Sequence, residues 1–332
     1  MTNESSNSFR RLIYGLLLGV LVYALFALAA DAGELLRHLD RVPVIVIIGA
    51  CGLSSINYGL RFLKWHAYLH LLGIRIGLGH SLLVFLAGLI MAISPGKVGE
   101  VIKSVLLKRS RDISIARTAP IVVAERLTDL LGLFVLAGLG IIVFQYGVVA
   151  FALTLVGIFI LLAVLQSPSL IEALLDLIEK LPFIGRYRSD LDRAYSSTQT
   201  LLRWRPLSAA TILSAIAWSM EAFAFAWILH HLGVSSPLLF EAFFVFSTST
   251  LLGALSFLPG GLGVTEGSMA GLLVWLELFD NLSPALAATY LIRFTTLWFG
   301  VIVGILSFLL YERSQRRLEE DNPPQPTTTA DE

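Results

Sequence analysis

The stretch SLLVFLAGLIMAISPGKVGEVIK, residues 81–103, decides how the chain is read. An apolar run, 81–93, stops at Ser94-Pro95-Gly96, and Lys97, Glu100 and Lys103 follow at once. A run this short does not cross a ~30 Å hydrocarbon layer, which takes about 20 residues of helix. Pro and Gly end helices, and irregular backbone at membrane depth is tolerated only inside protein or beside a water-filled cavity. Region 80–109 is therefore expected to be a re-entrant helical hairpin, broken at Pro95, Gly96 and Gly99. Region 238–279 reads the same way around LPGGLGVTEG (258–267), with breaks at Pro259, Gly260, Gly261 and Gly263.

The rest of the chain fits that reading. Its 332 residues are 56% hydrophobic and 14% charged, against about 25% charged in soluble domains. Mean hydropathy is +0.79. Full spans are expected at 12–30, 43–60, 118–145, 148–165, 208–230 and 285–311. The first follows Arg10 and Arg11 and ends in ALAADAG, which mimics a signal-peptide cleavage site. It is longer than an h-region of about 7–15 residues and is read as a span. The fold class is an all-α polytopic membrane protein with six full spans and two re-entrant hairpins. Zero net charge gives no reason to expect nucleic acid, and the single Cys51 excludes an internal disulfide.

Basic residues orient the spans. With the N-terminus inside, Lys and Arg crowd the inner segments 61–79, 95–117 and 166–207 and both termini. The outer side carries Arg37 and Arg41, and 230–284 carries none. This positive-inside bias places both termini in the cytoplasm and sends one hairpin in from each side. Within spans stand Arg126 and Arg293.

The layout repeats itself. Span, span, hairpin and span run over 12–145, after a cytoplasmic N-terminus at 1–11, and again over 148–311 with the opposite starting side. SPGKVGE (94–100) resembles LPGGLGVTE (258–266). About 30 residues on, AERLTDLLG (124–132) and LIRFTTLWFG (291–300) each place an Arg with Thr two residues later. Inverted repeats with broken helices characterise many transporters, with the substrate site near the repeat interface. Between the copies, 166–207 is cytoplasmic, and IEALLDLIEKL (171–181) has the spacing of an amphipathic surface helix. The tail 312–332 is expected to be disordered.

Charges inside a membrane are expensive and tend to be functional. Glu125, Arg126 and Asp129 lie within five residues; Glu125 and Asp129, four apart, share a helix face, and Arg126, three from Asp129, can also meet it. They form either a self-neutralising ion-pair cluster or the lining for a polar headgroup, and the two are compatible. Glu221 and Arg293 have no local partner, so Glu221 or Glu266 is expected to pair with Arg293. A buried Glu221 could instead stay protonated and serve proton coupling. Lys97, Glu100 and Lys103 sit at the first break, where the N–H groups of a helix starting near Val98 would favour an anion. With Arg126 added, the site suits a phosphate.

Other chemistry leaves little trace. GKV lacks the Ser or Thr and the upstream Gly of a P-loop. No HExxH or paired-cysteine motif is present, and His66 with His70 reads as an interfacial pair rather than a metal site. Neither cofactor nor metal is expected, and no soluble region is long enough for a catalytic domain.

LRFLKW (60–65), SPGKVGEVIKSVLLKR (94–109), AERLTDLLGL (124–133) and LPGGLGVTEG (258–267), in this order, resemble the membrane domain of lysylphosphatidylglycerol synthases, a flippase-like family of integral membrane proteins. The resemblance covers roughly 10–312. Larger members join this domain to a cytosolic one that aminoacylates phosphatidylglycerol, and here the chain ends soon after its last expected span. The resemblance implies lipid movement between leaflets of a bacterial plasma or inner membrane, with no enzymatic step. The partner is a membrane lipid: a phospholipid, a glycolipid or a polyprenyl phosphate. Lys97 stands where the family commonly has Arg, which keeps charge but weakens bidentate phosphate contact. Two other functions remain open at this point: an accessory protein that presents lipid to a separate lipid-modifying enzyme, and a membrane enzyme using Glu125, Asp129 and Glu221.

Overall fold

The computed structural model describes residues 32–94, 99–144, 188–235 and 238–321, with isolated positions 152, 156, 163 and 167. The expected spans 12–30 and 148–165, the segment 171–181, and Pro95, Gly96 and Lys97 lie outside the described residues. Described secondary structure is entirely helical.

A short helix α1 (Ala32–Asp40) precedes α2 (Val44–Leu71), which opens after Pro43. At 28 residues α2 runs well beyond the expected end at residue 60. The hydropathy falls at Arg61 and Lys64, but both side chains are buried, so the helix continues through them. α2 ends at Gly73 in the left-handed region, φ 68°, where Gly73 N–H bonds His70 O and Ile74 N–H bonds Leu69 O. Helix α7 (Trp204–His231) copies it. It also has 28 residues and ends at Gly233, φ 102°, with Val234 N–H on Leu229 O. The two helices pack against each other, and the buried Asn57 amide donates to Ala217 O at 2.8 Å.

Each is followed by a broken helix. In the first half α3 (Leu78–Gly88) tightens into a 3-10 segment, Leu89–Ile93, and α4 (Ile102–Arg111) begins beyond the break. α5 (Ile115–Phe144) follows, and α6 (Arg188–Leu201) lies against it. In the second half α8 (Leu238–Leu255) is followed by a 3-10 turn, Pro259–Gly261, and α9 (Val264–Trp275). Then α10 (Leu282–Arg293), a π-helical turn Phe294–Trp298 and α11 (Phe299–Asp321) form nearly one rod. α11 continues to Asp321, past residue 312 where the disordered tail was expected to begin.

The second break needs glycine. Gly260, Gly261 and Gly263 have φ of 61°, 67° and 86°, which Gly adopts without the Cβ penalty. A Cβ on Gly261 would also stand 3.0 Å from Gly253 Cα.

Contacts between the halves are reciprocal. α5 packs on α8, α11 packs on α3, and the two 3-10 segments at the breaks touch. Ile93, Leu262, Leu297 and Val301 form a small apolar cluster at that meeting point. Larger apolar clusters lie to either side, one around Trp65, Phe85 and Tyr311, the other around Phe225, Phe246 and Met269.

Three described helices are long and apolar enough to cross a membrane: Val44–Leu71, Trp204–His231 and the continuous Leu282–Arg317. α5 has 30 residues but carries Glu125, Arg126 and Asp129 near its middle. Ile45, Ile48, Ile56, Ile212, Ile216, Leu306 and Leu310 are exposed along the long helices. A soluble protein does not present that much apolar side chain to water; a membrane protein presents it to lipid. The chain is a helical membrane protein.

Candidate functional site

Between the apolar clusters lies a layer of buried charge. Asp129, at the middle of α5, is its hub. Lys64 Nζ of α2 contacts Asp129 Oδ1 at 2.6 Å, Arg126 Nη2 reaches Oδ2 at 3.2 Å, and Arg61 Nη2 stands 3.7 Å from Oδ2. Ser214 of α7 donates its hydroxyl to Asp129 Oδ1 at 3.0 Å. Gly132 permits this approach, since a Cβ there would meet Ala215 N at 2.7 Å.

Glu100 and Lys103 tie the first broken helix into the same layer. Arg126 Nη2 donates to Glu100 Oε2 at 3.0 Å, and Lys103 Nζ to Glu125 Oε2 at 2.5 Å. Lys103 is also 3.6 Å from Glu100. The Lys103 stem passes over Gly88, where a Cβ would lie 2.6 Å from Lys103 Cγ. Its ammonium rests 4.6 Å from the Trp65 ring centroid, a cation–π contact. The Arg126 side chain keeps about a fifth of its surface exposed, at 20%, whereas Glu100, Lys103, Glu125 and Asp129 are buried. Gly99 N–H, just past the break, is bonded to Ser94 Oγ at 2.9 Å.

The second half holds a sparser copy. Arg293 Nε donates to Glu266 Oε1 at 2.6 Å, and its Nη2 to Gly260 O at 2.7 Å. Glu266 Oε2 in turn accepts from Gly263 N at 2.7 Å, capping α9. In both halves an Arg on the long helix grips the Glu that follows the Pro-Gly break, at separations of 26 and 27 residues. The Thr two positions after each Arg also matches. Thr128 bonds Ala124 O and Glu125 O, and Thr295 bonds Leu291 O and Ile292 O. Glu266, one of the two carboxylates expected for Arg293, is hydrogen-bonded to it, and Glu221, the other, lines the same cavity as Arg293.

A cavity of ≈ 60 Å³ separates these charge groups. Tyr58 and Arg61 of α2, Trp218 and Glu221 of α7, and Arg293 are among its lining residues. Tyr58 donates to Thr296 O at 2.6 Å, inside the π-helical turn where the regular ladder is interrupted; such turns recur at functional sites. The structure thus gathers Glu100, Lys103, Glu125, Arg126 and Asp129 in one network, Glu266 and Arg293 in a second, and Glu221 at the cavity between them.

Arg61 and Lys64 belong to this site, although their charge had assigned them to an inner loop. The signal was present in LRFLKWHAYLH: residues 61, 64, 65 and 68 fall on one helical face, and all four are buried.

The profile of the lysylphosphatidylglycerol synthase TM region matches residues 12–304. The chain belongs to this family. Among curated proteins, glycosyltransferase AglD of Haloferax volcanii is 24% identical over 322 aligned positions, covering 83% of this chain and 50% of that protein. The chain therefore spans about half the length of the curated relative it matches.

Proposed function

We propose that this chain moves a lipid between leaflets, binding a polar or phosphate-bearing headgroup in the cavity between two inverted repeats. The observation that carries this reading is the cavity itself. It places Arg61, Glu221 and Arg293 together inside an apolar bundle, at the meeting point of two broken helices. A charge at such depth has to face protein, water or a charged ligand. The reciprocal packing of the halves, the matched caps of α2 and α7, and the paired Arg–Glu contacts support an inverted repeat. In that arrangement six spans cross the membrane, both termini lie in the cytoplasm, and a hairpin enters from each side. Rocking of one repeat against the other would expose the cavity alternately. This function requires no catalytic group and no cofactor.

A second reading is favoured by the relative named a glycosyltransferase. Here the membrane region presents a lipid to an enzyme without transporting it.

Fluorescent-lipid translocation in proteoliposomes separates the two. The native chain should move lipid faster than protein-free vesicles do. Thr250→Trp, which fills the cavity from α8, should abolish movement while leaving the fold intact. Retention of a lipid through purification with no translocation would establish the presenting role instead.

A further inference from the structure

His66 and His70 take no part in the charge layer or the cavity, yet their side chains converge. Both lie in the last two turns of α2, four residues apart and so on one helical face. Their Nε2 atoms stand 3.1 Å from each other, with ring centroids 4.6 Å apart and planes at 84°. Two neutral imidazoles at that distance hold one hydrogen between two nitrogens. A divalent cation can take the place of that hydrogen. Imidazole–metal bonds of about 2.0–2.1 Å across this 3.1 Å separation make an N–metal–N angle of roughly 95–102°. That lies between the right angle of a square-planar or octahedral pair and the tetrahedral angle. A small turn of the exposed His70 ring aims both lone pairs at one point.

The position of His66 is set from a second helix. Its Nδ1 is hydrogen-bonded at 3.0 Å to Ser81 Oγ of α3, and Ser81 is fully buried. The Phe62 ring, one turn earlier on α2, lies 5.7 Å from the imidazole. When Nδ1 donates its hydrogen to Ser81, the lone pair is left on Nε2, facing His70. Metal-bound histidines are held in this manner, because a bond from the other ring nitrogen fixes both tautomer and orientation. His70 is exposed and His66 half-buried, so an ion from water reaches both nitrogens. No third His, Cys, Asp or Glu joins them among the described residues, and water takes the remaining positions. His230 and His231 offer a contrast. They are neighbours in sequence with rings 5.6 Å apart, and His231 Nδ1 is bonded to Trp227 O at 3.0 Å. Spacing alone made His66 and His70 an interfacial pair; the convergent nitrogens and the Ser81 contact come from the fold.

We propose that His66 and His70 form a two-histidine site for a divalent transition metal that favours imidazole, zinc or copper, with Ser81 as its positioning residue. Because Ser81 belongs to α3, the bound ion pins the end of α2 to the start of the first broken helix. The site is separate from the cavity and does not depend on lipid movement.

The test uses the full chain, free of any histidine tag, in a neutral maltoside detergent. Calorimetric titration should show one Zn²⁺ per chain with a Kd of about 10 µM or tighter. Excess Mg²⁺, which prefers oxygen ligands, should not compete. His66→Ala and His70→Ala should each abolish saturable binding, and His70, being exposed, can be replaced without loss of the fold. Ser81→Ala should keep the stoichiometry and weaken binding by about 10–100-fold. His231→Ala should change nothing. With Cu²⁺, electron paramagnetic resonance should show coupling to two nitrogens in the native chain and to one in His70→Ala. Saturating Zn²⁺ should raise the melting temperature of the native chain and leave that of His70→Ala where it was.

Absence of saturable binding overturns the proposal, as does binding that survives both His66→Ala and His70→Ala. Unchanged affinity in Ser81→Ala also overturns it, since the site would then be two surface histidines that α3 does not shape.

Discussion

The two broken helices are built to one plan and differ in charge. The first is embedded in a network in which Arg61, Lys64, Lys103 and Arg126 meet Glu100, Glu125 and Asp129. The second carries the Arg293–Glu266 ion pair, backed by a helix cap and a backbone carbonyl. Its bend comes from three left-handed glycines. Side-chain ion pairs thus crowd the described residues beside the first break, and left-handed backbone shapes the second. The charge groups beside the cavity are therefore unequal, one dense and the other spare.

The comparison can be broken most directly at its hubs. Asp129→Ala should be the most damaging change, because Lys64, Arg126 and Arg61 all lean on that carboxylate. Removing one member of a buried ion cluster costs about 3–5 kcal/mol, and loss of a monodisperse, cooperatively melting species in detergent would report it. Glu266→Gln should cost less, about 1.5–3 kcal/mol, since it weakens a charged hydrogen bond while its amide still reaches Gly263 or Arg293. A larger melting-temperature loss for Glu266→Gln than for Asp129→Ala would show that the second half, not the first, is held by charge.

Backbone changes sharpen the other side. Gly261→Ala meets φ 67° and the close Gly253 backbone, so it should cost at least about 1–2 kcal/mol. Gly99 has no positive φ, and a Cβ there would meet the Ser94 side chain at 2.6 Å. Gly99→Ala should therefore cost less, and pairing it with Ser94→Gly should recover most of the loss in thermal melts. Equal effects at Gly99 and Gly261 would remove the distinction between the breaks.

The smallest effects are expected at the matched threonines. Thr295→Ala removes a local back-bond and a buried methyl and should cost about 1 kcal/mol. Thr128→Ala also removes an acceptor of Lys64, at 3.1 Å, and should cost about 1 kcal/mol more. The difference between these two melts measures how far Lys64 depends on α5.

Much of this was legible along the chain. The Pro-Gly breaks, the Arg that follows each by about 30 residues, and the choice of Glu266 or Glu221 for Arg293 came from local spacing. Arg61 and Lys64 did not, because hydropathy treats a charge as a loop unless its partner is nearby in sequence. Theirs is Asp129, 68 and 65 positions away and on another helix. The same blindness ended the second span at residue 60, although α2 runs to Leu71. Arg126 drew attention as a phosphate ligand, yet two carboxylates, Glu100 and Asp129, engage it.

By itself the sequence determined that this is a helical membrane protein, where its helices break, and which motif recurs. These follow from composition, from the conformational limits of Pro and Gly, and from local periodicity, none of which needs a distant partner. Only the tertiary structure decided which charges neutralise one another, that the two breaks touch, and that Arg61, Glu221 and Arg293 share one cavity. The reason is electrostatic. In a low-dielectric bundle the state and role of a charge are set by what lies within a few ångströms of it, and those neighbours come from other helices.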